Sequence, residues 1–154
     1  MQWRNLILAA AVMVASPVLA AEHEGDHDMS DKALVILSSD SLQTQGMAMV
    51  LSRTMQQQGS DLSVLLCDQA GDLAVASYQS PEALKTAPGS PMASMKPEML
   101  LQALIDDGAQ VDVCALYLPN SDYAEEDLRQ GVGVATPPPM AEMMRDPSIP
   151  VFTF

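Results

Sequence analysis

A chain of 154 residues with twenty Asp and Glu against seven Lys and Arg carries a formal net charge of −13. That balance argues against nucleic acid and anionic membrane surfaces as partners, because both would repel it, and leaves soluble partners and cationic ligands open. Two cysteines are too few for a disulfide framework, so an apolar core must hold the fold.

The first twenty residues, MQWRNLILAAAVMVASPVLA, have the anatomy of a secretory signal. Arg4 gives a positive start, Leu6 to Ala15 an apolar stretch, and SPVLA a helix breaker followed by small residues. The apolar run is too short to span a bilayer, and no later segment is long enough either. Cleavage after Ala20 or Ala21 would leave a soluble periplasmic protein with no membrane attachment. Residues 21–32, AEHEGDHDMSDK, read as a disordered acidic leader, and residues 33–154 as one domain able to bury a core.

Within that domain, ALVILSS suits a strand buried on both faces. In TQGMAMVLSRTMQQQG, the residues Met47, Val50, Leu51, Thr54 and Met55 recur at helical spacing, and Gly59 ends the helix. LSVLLC is a second buried strand, finishing at Cys67. DQAGDLAVAS holds a helical turn, and residues 81–96, broken by prolines and glycine, form a long loop of the kind that can cover a site. Pro97 opens the helix PEMLLQALIDDG, which stops at Gly108, and QVDVCAL is the third strand. Asn120 or Ser121 then caps a helix through DYAEEDLRQG, whose early acids suit the N-terminal dipole. VGVA is a short strand, PPMAEMMRD a short helix and IPVFTF a closing strand. Strands alternating with helices imply right-handed crossovers and a mostly parallel α/β sheet of about five strands.

The helix leading into DDGAQVDVC, the GV strand further on and the final PVFTF resemble the DsrE/DsrF-like sulfur-relay proteins across residues 33–154. The resemblance implies a flavodoxin-like three-layer sandwich and a homo-oligomer, trimer or hexamer. It also implies that Cys114 accepts sulfur as a persulfide and passes it on. Such a protein is a carrier more than a turnover enzyme, needs no cofactor, and meets donor and acceptor proteins or small sulfur compounds.

The residues themselves single out Cys114 independently. In open parallel sheets the ligand crevice lies beyond the carboxyl ends of the strands, and Cys114 approaches such an end. Leu116, Tyr117, Pro119, Asn120 and Ser121 would shape its surroundings. A helix N-terminus near Ser121 would favour its thiolate, whereas Asp112, Asp122, Glu125 and Glu126 would oppose it. The plainer reading is a non-catalytic interaction subunit in which Cys114 is a small core residue, since free cysteine is among the most buried types. Cys67 ends a strand on the same rim. In a flavodoxin-like order the first strand lies between the second and third, which separates the cysteines by roughly 9 to 10 Å. A disulfide would then require one of them to sit in a bent loop.

Sulfur can also act as a metal ligand. Soft thiolates and thioethers select Cu(I), and Cys67 and Cys114 with Met92 and Met95 of the proline-rich loop form one candidate set. Met140, Met143 and Met144 repeat the spacing on the last helix, where methionine more commonly fills core. Cleavage after Ala20 would begin the chain AEH, placing His23 where a free amine, two amides and an imidazole enclose Cu(II) in a plane. No GxGxxG, P-loop or CxxC occurs, and both histidines precede the domain, which argues against nucleotide binding by those loops and a Cys-His apparatus within it.

Overall fold

The computed structural model describes residues 31–90 and 92–154; the signal-like segment, its cleavage site and His23 lie outside the described residues. Five strands form one parallel sheet in the order β4-β3-β2-β1-β5. They are β1 (Lys32–Leu37), β2 (Asp61–Leu66), β3 (Gln110–Val113), β4 (Val132–Val134) and β5 (Val151–Thr153). The helices are α1 (Leu42–Gln57), α2 (Pro97–Asp106) and α3 (Pro137–Arg145).

The layers follow from the direction of the crossovers. From β1 to β4 the chain always steps the same way across the sheet, so right-handed connections put α1 and α2 on one face. The link from β4 to β5 returns across the whole sheet in the opposite sense, and α3 therefore lies on the other face. Side-chain alternation agrees with this division. Ala33, Val35, Leu37, Leu62, Val64, Leu66, Val111 and Val113 share the large core with Met49, Leu101 and Leu104 from α1 and α2. Leu34 and Leu65 point the other way and pack with Ala135 and Met140 under α3. The architecture is the flavodoxin-like three-layer one expected.

Local chemistry accounts for the helix starts. The Ser41 hydroxyl accepts from the Thr44 amide at the N-cap of α1, and proline opens both α2 and α3, where its missing N–H costs nothing. Two expectations need correction. The strand order is not the one in which β1 separates β2 from β3; those two are neighbours. Nor do residues 122–131 form a helix: only Glu125–Asp127 make a 3₁₀ turn. Buried Leu128 is held instead in an antiparallel bridge to Val75, with Arg129 N–H donating to Ala74 O at 2.8 Å and Ala76 N–H to Asp127 O at 2.9 Å. This tertiary pairing draws the chain extended and overrides a favourable helix start.

The long loop is anchored on the α1 and α2 side. Glu98, only 5% exposed, accepts from the Ser80 amide at 3.1 Å and the Ser80 hydroxyl at 2.6 Å, while Lys96 Nζ donates to Ser80 O at 2.6 Å. Leu84 then packs against Gly46 of α1, where even a methyl group would collide with it. Glu82, Leu84, Lys85, Thr86 and Met92 of the loop thus lie along α1. Glu98→Ala would strand two buried donors of Ser80, and is expected to cost about 1–3 kcal/mol in urea unfolding. Lys85→Ala removes only the exposed Lys85–Glu82 pair, and is expected to change stability by less than about 1 kcal/mol.

Candidate functional site

Pairing between β2 and β3 brings the two cysteines together. Leu66 stands opposite Val113, and each cysteine is the next residue along. The ladder continues through them: Cys67 N–H donates to Leu37 O at 2.9 Å and Cys114 N–H to Leu66 O at 2.8 Å. Neighbouring strands lie about 4.8 Å apart, inside the Cα separation a disulfide spans, so the two-strand gap expected from a flavodoxin order is absent. Both are half-buried free thiols, and both pack on the small apolar cluster of Leu34, Leu65, Ala135 and Met140.

The two thiols are not equivalent. Burial, followed by a side-chain hydrogen bond with Cys114 and the nearby Cys114 and Asp68 charges, pushes the Cys67 thiol up to about 12. Cys67 therefore holds its proton at neutral pH. Cys114, in contrast, lines an open cleft of about 710 Å³.

Leu116, Tyr117, Asn120 and Ser121 line that cleft with Cys114; Pro119 is exposed on the 3₁₀ turn Leu118–Asn120 and is not among the lining residues. The opposite wall was not foreseen. It comes from the 3₁₀ segment Asp68–Ala74, which contributes Asp68, Gln69 and Asp72. The only signal was their position directly after Cys67, and nothing local shows that this segment faces the loop after β3. Asp122 and Tyr123 complete the cleft. None of its lining residues is basic, and no helix N-terminus arises at Ser121 to offset the three carboxylates.

Tyr117 ties the walls together. Its amide donates to Cys114 O at 2.9 Å, closing a turn, and its hydroxyl donates to Asp72 Oδ1 at 2.7 Å. Burial first, then that bond to a carboxylate, raises its pKa well above the tyrosine norm. Its ring lies on Gly71, where no Cβ fits.

The other sulfur atoms divide between the faces. Met92 and Met95 pack against the α1 and α2 core, and Met92 lines a separate cleft with Leu42, Met47 and Val50. They do not join Cys67, whereas Met140 and Met143 of α3 belong to its cluster. Among the described residues, no group of three or more His, Cys, Asp or Glu converges as a metal cage.

No family model matches the chain, and no curated protein sequence does. Solved structures match its shape. The crystal structure of the YchN protein from E. coli aligns with a TM-score of 0.62 at 16% identity, covering 80% of this chain and 99% of that one. The fold is DsrE-like. A protein of unknown function from Methanobacterium thermoautotrophicum, MTH1491, aligns with a TM-score of 0.52 at 12% identity, over 80% of this chain and 98% of its own. At these identities the DsrE-like likeness is one of fold.

Two measurements check the site. Gly71→Ala drives a methyl group into the buried Tyr117 ring and is expected to cost about 1–3 kcal/mol in urea unfolding. In Cys114→Ser, iodoacetamide should modify Cys67 far more slowly than free cysteine through about pH 7 to 9, where ordinary thiols titrate. Because the pKa is raised, the rate should still be climbing at the alkaline end; a plateau there would contradict the burial argument.

Proposed function

We propose that the chain is an exported, periplasmic member of the DsrE/DsrF-like family that handles sulfur through Cys114, the persulfide-accepting thiol. The observation that carries this reading is the position of Cys114: a half-buried thiol at the carboxyl end of a central parallel strand, opening into a cleft. The signal-like first twenty residues support export.

The cleft's charge narrows the donor. With Asp68, Asp72 and Asp122 around the thiol, a free oxoanion such as thiosulfate is repelled. A persulfide presented by a basic partner or carried by a small cationic thiol suits it better. Leu116, 72% exposed at the rim, offers such a partner an apolar contact. Assembly into a trimer or hexamer belongs to the same reading; exposed Met144 on α3 and Val151 on β5 support it, because the α3 face is thinly covered.

A second reading, binding of Cu(I), is favoured by one observation: both thiols share a cluster with the thioethers of Met140 and Met143. One experiment separates the two. Protein exported to the periplasm and purified without added thiol is weighed intact, beside Cys114→Ser and Cys67→Ser. The carrier reading expects one added sulfur in the wild type or, where the neighbouring Cys67 discharges it, in Cys67→Ser; it is lost on reduction and absent from Cys114→Ser. A copper adduct that weakens in Met140→Leu would favour metal binding. Wild type and Cys67→Ser carrying neither, and taking up no sulfur from cysteamine persulfide, would leave Cys114 a core residue.

A further inference from the structure

We infer that Cys67 is the resolving thiol of this site, attacking sulfur loaded on Cys114 to release it as sulfide and leave a Cys67–Cys114 disulfide. The inference rests on the carrier reading of Cys114 and adds a second reacting residue and a product to it.

Placement carries it. Cys114 meets the cleft, whereas Cys67 does not line it and sits beside Cys114 on the next strand. Both thiols follow a register pair, on the face that holds Leu65 and Met140, so they share one side of the sheet at about one strand spacing. A disulfide fits that spacing without moving either strand. Apolar side chains of the small cluster flank the position of that bond.

The chemistry balances without an outside oxidant. In loading, the Cys114 thiolate takes the terminal sulfur of a persulfide; the donor's S–S bond breaks, a new one forms on Cys114, and the donor leaves as a thiol. In resolution, Cys67 sulfur attacks Cys114 Sγ, the bond to the terminal sulfur breaks, and hydrosulfide departs with the Cys67 proton as H₂S. The terminal sulfur is reduced by two electrons, and the two thiols are oxidised to the disulfide. At rest the raised pKa keeps Cys67 from competing for the donor; because the nucleophile is the thiolate, the Cys67 proton passes to the terminal sulfur of the Cys114 persulfide as Cys67 attacks, and leaves with it as H₂S.

The test is a single turnover of the full exported chain, reduced, freed of reductant and mixed anaerobically with cysteamine persulfide. Wild type should release one equivalent of sulfide and end lighter by two hydrogens, with Cys67 and Cys114 joined in the peptide map. Cys67→Ser, and Cys67→Ala should the serine variant fold poorly, should instead retain the added sulfur on Cys114 and release no sulfide above the Cys114→Ser background. Wild type that keeps the persulfide with Cys67 free overturns the resolving role while leaving the carrier reading intact. A disulfide that forms equally fast without donor overturns it too, as does sulfide release undiminished in the Cys67 variants. Failure of every form to acquire sulfur removes the carrier reading itself, and the inference with it.

Discussion

Parallel pairing of β2 with β3, with Leu66 opposite Val113, is the constraint on which the site depends. The ladder runs one residue past the strand end through the Cys114 amide, which donates to Leu66 O, while the Cys67 amide extends the β1–β2 ladder to Leu37 O. Because side chains alternate along a strand, in-register parallel neighbours share a face. Leu66 and Val113 face the large core, so the next residue on each strand faces α3. One slip in register would send one cysteine to each side of the sheet. The apolar sets on β2 and β3 resist that slip, since it would also turn Val64 and Leu66, or Val111 and Val113, away from the large core.

The same topology divides the labour between the faces. Three consecutive steps in one direction place both long helices on one side, where they bury most of the apolar surface. The return from β4 to β5 leaves only nine residues of α3 for the other side. Stability therefore rests on the α1 and α2 core, and the thin face holds both cysteines. Tyr117 joins the two: its ring packs into the large core, while its turn begins at the Cys114 carbonyl and its hydroxyl holds Asp72. The cleft wall is thus fixed by a core residue.

Electrostatics sets this cleft apart from a generic thiolate site. Thiolates are commonly stabilised by basic side chains or a helix N-terminus. Here Asp68, Asp72 and Asp122 surround the opening, and the segment expected to supply a helix N-terminus is drawn into pairing with residues 74–76. The neighbouring Cys114 thiol adds to the burial that keeps Cys67 protonated. The chemistry proposed for Cys114 would therefore draw on its neighbouring thiol and on the charge of what approaches it.

Local pattern in the sequence was enough for the strands, the three helices, the parallel α/β class and the position of Cys114 at a strand end, because each rests on periodicity, a proline or a glycine nearby in the chain. Four lining residues of the cleft were legible for the same reason: Leu116, Tyr117, Asn120 and Ser121 follow Cys114 directly. What lay out of reach depended on contacts between distant segments. Strand order decided that Cys67 lies beside Cys114, since nothing in LSVLLC or QVDVC says which strand stands between them. Docking of Asp68–Ala74 against the turn after Cys114 made the acidic wall, and Leu128 reaching Val75 cancelled the helix that DYAEEDLRQG encodes locally. Local sequence sets what each segment prefers to be; burial against the rest of the chain decided which segments meet, and the two sulfur atoms meet only there.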